Sequence, residues 1–123
     1  PQLLDGAQVV VDALDTLPAR YLLQDAAARL GAPLVHGAIA GFTGQVMTIW
    51  PGDAGLRALY GQEPPFERGV ETSLGNPAAT PMMIAAWEIQ EVVKLITGVG
   101  QPLRQRLLLL DAERGEVTEL RLD

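Results

Sequence analysis

The stretch from residue 9 to residue 39 limits the fold more than any other part of the chain. Residues 9–14 read Val-Val-Val-Asp-Ala-Leu, a short β-branched apolar run that suits a strand buried on both faces. Helix signals follow at once. Asp15 or Thr16 can cap a helix N-terminus, and Pro18 fits its first turn, where a missing N–H costs nothing. Leu22, Leu23, Ala26, Ala27 and Leu30 recur at helical spacing. Gly31 stands where a left-handed C-cap belongs, and Pro33 prevents continuation. The spacing therefore predicts a helix over 17–30. Residues 34–39, Leu-Val-His-Gly-Ala-Ile, read as the next strand. A strand, a helix and a second strand in this order make a right-handed crossover between parallel strands.

Further elements follow. Gln45 to Trp50 reads as a strand folding back after Gly41-Phe42-Thr43-Gly44. Residues 51–79 alternate Pro and Gly with charges: Pro51-Gly52, Gly55, Gly61, Pro64-Pro65, Gly69, Gly75 and Pro77. Such a stretch predicts a loop without regular structure. Thr80-Pro81 opens a second helix, and Gly98 ends it. Ala85, Ile89, Val92, Val93 and Ile96 form its apolar face, with Glu88, Glu91 and Lys94 opposite. Leu107–Leu110 reads as a strand, 112–115 as a turn, and Val117–Leu122 as an alternating, half-exposed strand. The class is α/β with a mixed sheet whose last two strands form a hairpin.

Composition removes several functions. There is no Cys and a single His, so disulfides, thiolate catalysis, Cys-based zinc sites and His-rich metal sites are excluded. A net charge of −6 opposes a general nucleic-acid or anionic-membrane surface. No run of 18 apolar residues provides a spanning helix. The opening Pro1-Gln2-Leu3-Leu4 has neither an initiator Met nor a signal pattern, so the expectation is a piece of a longer cytoplasmic protein.

Ligands of open α/β sheets bind beyond the carboxyl ends of the strands. Asp12 and Asp15 fall there. Asp15 either caps the helix or holds Mg²⁺ or a phosphate-bearing ligand, and Asp12 is expected buried and bonded to backbone. Arg20 either pairs with Asp15 or reaches a phosphate. His36, in an apolar strand, reads as a packed, hydrogen-bonded imidazole, and with no Cys and one Ser no nucleophilic triad can be assembled. Gly37 and Gly41 lack the spacing of a phosphate loop and are read as allowing close backbone approach.

The residues themselves carry more than their spacing. Three segments together resemble the ThiF/MoeB/HesA family: Val9 to Ala26, Pro33 to Ala38, and Phe42-Thr43-Gly44-Gln45-Val46. Glu88 to Ala112 resembles the family's closing helix and strand. The order is right and the likeness covers nearly the whole chain. It implies a Rossmann-like mixed sheet, here the C-terminal half of a ThiF-type domain with a crossover loop at about 51–79. It further implies an ATP-dependent adenylyltransferase acting on the C-terminal glycine of a small β-grasp (ThiS/MoaD-like) sulfur carrier or modifier, commonly as a homodimer.

The family's Asp-Asn-x-x-x-x-Arg turn maps onto Asp15, Thr16 and Arg20, with Thr in place of Asn. The likeness makes these three the nucleotide-binding residues, and Asp15 both catalytic residue and Mg²⁺ ligand. Gly37, Ala38, Phe42 and Gly44 become the surface for the partner's tail. The Cys-x-x-Cys zinc ligands of many relatives are missing from 54–60, so no zinc is expected. The family's glycine-rich phosphate loop lies upstream of the first strand. A non-catalytic partner-binding or dimerisation module is the alternative, and a nicotinamide-type Rossmann fragment is a third reading that leaves 42–46 and 107–112 unexplained.

Overall fold

A computed structural model describes residues 4, 6–14, 16–62 and 77–122. Eight elements run in chain order. They are β1 (Val10–Val11), α1 (Leu17–Leu30), β2 (Leu34–Ala40), β3 (Thr43–Ile49), α2 (Leu56–Tyr60), α3 (Ala79–Thr97), β4 (Arg106–Asp111) and β5 (Glu116–Arg121). The strands form one sheet in the order β1-β2-β3-β4-β5. β1 and β2 are parallel and joined through α1, whereas each later neighbour pair is antiparallel. The mixed α/β class expected from the sequence is what forms.

α1 obeys its punctuation. Thr16 is the N-cap, its hydroxyl accepting the Ala19 amide, and Gly31 closes the helix at φ +73°. β2 and β3 are joined by a two-residue turn at Gly41-Phe42, with Gly41 at φ +60°, the left-handed geometry that matches the twist of a hairpin.

Sheet alternation divides the interior in two. Leu34, Met47, Ile49 and Leu107 face α1 and α2, and pack with Tyr21, Ala27 and Leu56. Val46 and Leu110 face α3 and pack with Ile84 and Leu103.

Several sequence expectations need correction. The first strand is confined to Val10–Val11, because the chain turns at Asp12, whose carboxylate accepts the Leu14 amide. Within the expected loop at 51–79, Leu56–Tyr60 is helical: Leu56 is fully buried and its amide donates to Gln24, which nucleates the turn. Residues 63–76 of that stretch lie outside the described residues. α3 starts at Ala79, with Ala78 at the cap position, so Thr80-Pro81 falls inside the first turn and Thr80 caps nothing. β5 is exposed along its length rather than alternating.

The largest correction concerns which side of α3 faces the sheet. The inward stripe is Thr80, Ile84, Glu88, Glu91 and Leu95, with Glu91 fully buried. Ile89, Val93 and Ile96, assigned to the buried face by their spacing, point to solvent, and Ile89 is 62% exposed. The reason lies in what the sheet presents to the helix. Glu91 accepts hydrogen bonds from the Thr48 hydroxyl and the Leu103 amide, two buried donors for which an apolar side chain offers nothing.

Candidate functional site

The carboxyl ends of β1 and β2 lie on the same side of the sheet, because the two strands are parallel. The turn at 12–16 follows β1 and enters α1, and the hairpin tip at Gly41-Phe42 follows β2. A crevice beyond strand ends and at a helix N-terminus is where an α/β sheet takes a nucleotide phosphate.

Asp12 is the centre of the described part of this region. It is 1% exposed. Its Oδ1 accepts the Leu14 amide at 3.0 Å. Its Oδ2 lies 2.7 Å from His36 Nδ1 and 3.2 Å from Arg20 Nε. Arg20 also donates to the Leu14 carbonyl. Asp12 thus ties the end of β1, the first turns of α1 and the middle of β2 into one buried unit. Its burial and its backbone bond were expected from the sequence; its pairing with His36 and Arg20 was not. Arg20 pairs with Asp12; Asp15, the partner suggested by proximity along the helix, lies outside the described residues.

His36 is fully buried and hydrogen-bonded on both ring nitrogens, as a packed imidazole should be. Its Nε2 lies 2.9 Å from Gln45 Nε2, and that amide also donates to the Tyr60 hydroxyl at 2.9 Å. An amide nitrogen only donates, so His36 Nε2 accepts and the ring proton sits on Nδ1, pointing at the Asp12 carboxylate. The chain Asp12–His36–Gln45–Tyr60 crosses from β1 over β2 and β3 to α2.

Gly37 allows close approach, as expected, and so does Gly44; Gly41, expected to do the same, has nothing within 4 Å of a Cβ and serves the turn through its positive φ instead. A Cβ at Gly37 would stand 2.6 Å from Glu88 Cδ, and one at Gly44 would stand 2.3 Å from two carbons of Ile84. Both glycines are therefore covered by α3 on that side. Ala38 is half-buried and Phe42 is 47% exposed at the hairpin tip.

Two glutamates of α3 complete the surroundings. Glu91 binds Thr48 Oγ1 and Leu103 N, each at 2.7 Å, and forms an ion pair with Lys94. Glu88 sits over Gly37, and its Oε2 is buried without a hydrogen-bond partner among the described residues. Burial, and then the Asp12 charge, push its carboxyl up to about 7, against a smaller opposing pull from Arg20.

Gln45, Tyr60, Glu88 and Glu91 were missed as members of this region. Gln45 carried one signal, a polar residue inside an otherwise apolar strand; Glu88 and Glu91 carried another, acids three residues apart on one helix. Among the described residues, no group of three or more His, Cys, Asp or Glu is arranged to hold a metal ion.

A mixed sheet with a parallel β-α-β opening, and a charged turn at the strand end, defines an α/β protein of Rossmann-like architecture. The chain belongs to the ThiF family, whose pattern it matches over residues 1–123. It is 40% identical over 124 residues to the sulfur carrier protein adenylyltransferase of Thermus thermophilus, covering 90% of this chain and 44% of that one. It is 38% identical over 114 residues to the SAMP-activating enzyme E1 of Haloferax volcanii, covering 90% of this chain and 42% of that one. Against the adenylyltransferase and sulfurtransferase MOCS3-1 of Zea mays the identity is 37% over 117 residues, with coverage of 93% and 25%. The chain therefore spans a quarter to under half the length of these curated relatives. In fold it is similar to crystal structures of PaaA, with a TM-score of 0.71 at 16% identity over 98% of this chain and 37% of that one, and of E. coli MccB with ATP, at 0.69, 13%, 98% and 38%.

Proposed function

We propose that this chain is the C-terminal half of an ATP-dependent adenylation domain that activates the C-terminal glycine of a small β-grasp sulfur carrier. The observation that carries the reading is the shared rim of the sheet. The 12–16 turn and the 41–42 hairpin tip lie on one side, so a nucleotide held at the first would lie beside a peptide tail laid along the second. The relatives named as sulfur carrier protein adenylyltransferase and SAMP-activating enzyme E1 support the substrate class.

In this reading Asp15 holds the Mg²⁺ that accompanies ATP, and Thr16 and Arg20 bind the nucleotide. Thr16 already stands at the N-terminus of α1, where amide groups and the helix dipole favour phosphate. Arg20 keeps its guanidinium at the Leu14 carbonyl, the start of that turn. Ala38 and Phe42 offer the open part of the tail surface, since α3 covers Gly37 and Gly44. Adenylation needs no thiol, so the lack of Cys in this chain is compatible with it.

The test is ATP–pyrophosphate exchange by the full-length protein carrying this chain, with candidate β-grasp partners. The expected result is partner-dependent exchange, lowered on the order of 100-fold by Asp15→Asn, the scale set by loss of one preorganised electrostatic contact. Folding should change by less than about 1 kcal/mol, because Thr16 supplies the cap of α1 and Asn replaces Asp15 at nearly the same volume. Exchange by Asp15→Asn at the parent rate would leave Asp15 without a role in the reaction. Partner binding without any exchange would favour the non-catalytic module.

A further inference from the structure

Leu14, the residue before Asp15, is held at both of its backbone polar groups by side chains. Asp12 Oδ1 accepts its amide at 3.0 Å, and the Arg20 guanidinium donates to its carbonyl. The two holders meet each other, with Arg20 Nε 3.2 Å from Asp12 Oδ2. The Asp12 carboxylate therefore sets the backbone that enters residue 15, as long as it keeps its orientation. The last torsion of an Asp side chain is broad, and one backbone donor does not lock it. His36 supplies a second point. Its Nδ1 lies 2.7 Å from Oδ2, the oxygen that the Leu14 amide leaves open. Asp12, Arg20 and His36 are all buried, so bulk water does not compete for these contacts.

The ring is itself held from behind. Gln45 Nε2 donates to His36 Nε2 at 2.9 Å, which leaves the ring proton on Nδ1, facing Asp12. The Tyr60 hydroxyl accepts from the same amide at 2.9 Å. His36 lies opposite Met47, on the side of the sheet that packs against α1, from which Arg20 comes. A histidine that only filled space would need neither the contact with Asp12 nor a fixed tautomer.

We propose that His36 is a positioning residue of the 12–16 turn: its Nδ1 proton locks the Asp12 carboxylate in the orientation that holds Leu14, and so fixes the backbone that carries Asp15 and Thr16. This rests on the reading of that turn as the Mg²⁺ and nucleotide site. His36 touches neither ligand and acts through Asp12, as outer partners of a metal site act through the groups they orient.

The test uses the full-length protein and two substitutions that both remove the Nε2 acceptor. His36→Asn keeps an N–H donor close to where Nδ1 stands, whereas His36→Leu keeps the volume and has no donor. Hydrogen exchange of single backbone amides reads the positioning without any ligand. The reference is the Asp12 amide, which the sheet holds through the Val35 carbonyl. Relative to it, the Leu14 amide of His36→Leu should exchange about tenfold faster, the low end for losing a hydrogen bond to a charged group. The Mg²⁺ concentration that half-saturates ATP–pyrophosphate exchange should rise about tenfold, the low end for losing an outer partner of a metal site. His36→Asn should bring both readings back to within about threefold of the parent. Equal acceleration of the two amides would make His36 a packing residue and overturn the inference. An unmoved Mg²⁺ requirement, or His36→Asn no better than His36→Leu, would also overturn it, and each of these leaves the function standing. A parent without exchange, or Asp15→Asn matching the parent, would overturn the reading of the turn and the inference with it. Should His36→Leu not fold, His36→Gln takes its place: its amide reaches the Nε2 position and leaves no donor at Nδ1, and the same outcomes decide.

Discussion

Two neighbouring turns of α3 place the same side chain in opposite conditions. At Glu91 one oxygen takes the Thr48 hydroxyl and the Leu103 amide, and the Lys94 ammonium closes the other side. Three residues earlier, Glu88 has an oxygen with no donor among the described residues, and the Asp12 charge opposes its ionisation. Both lie between helix and sheet. The difference shows that burial alone does not set the state of an acid. The donors around it do, and here they come from β3 and the segment before β4 in one case and, among the described residues, reach only part of the carboxyl or none of it in the other.

The largest expected effect is at Glu91. Glu91→Ala would leave the Thr48 hydroxyl and the Leu103 amide unsatisfied and remove the partner of Lys94. Breaking one side of a buried charged network costs about 4 kcal/mol. Urea unfolding of parent and variant measures it. A loss below about 1 kcal/mol, the level of an exposed pair, would erase the contrast between the two glutamates.

Glu88 should respond in the opposite sense and to pH. Its carboxyl stands at about 7 when folded, against an ordinary value of 4.5. A raised acid binds its proton more tightly in the folded state. Its favourable contribution is therefore complete below pH 4.5 and is lost as the pH rises through about 7. Stability of the parent should decline across that interval. Glu88→Gln should remove this part of the decline and leave the variant the more stable of the two at pH 8. Parallel pH profiles for the two proteins would mean that Glu88 is already ionised when folded.

Much of the fold was legible from residues that act through local geometry. Thr16, Gly31 and Gly41 each impose a cap or a turn whatever the rest of the chain does. The packed state of His36 was legible for a similar reason, since a lone imidazole in an apolar strand must find partners. The facing of α3 was not. Periodicity places Ile89, Val93 and Ile96 on one side of a helix, but only the surroundings decide which side is covered. Those surroundings are Thr48 and Leu103, 43 and 12 residues from Glu91 in sequence. The site was legible to the same degree. Asp12 and Arg20 were singled out, but their mutual pairing, and the approach of Glu88 to Gly37, depend on contacts between elements remote in the chain.

The smallest expected effect separates the two sides of α3. Ile89 stands between Glu88 and Glu91 in sequence but points away from the sheet, 62% exposed. An apolar side chain already in water loses little when made polar. Surface substitutions of this kind change stability by about 0.5 kcal/mol or less. Ile89→Asn also lowers helix propensity slightly, by a few tenths of a kcal/mol at most, because Asn competes for backbone hydrogen bonds. The variant of this 123-residue chain should therefore unfold at nearly the same urea concentration as the parent, with an unchanged dependence on urea. The stripe it belongs to, with Val93 and Ile96, is a contiguous apolar strip of the kind that marks contact surfaces. A loss of about 2 kcal/mol or more in Ile89→Asn would therefore mean that this side of α3 is covered in solution. The inward glutamates would then lie on one of two buried sides, and the contrast between the helix's polar and apolar stripes would disappear.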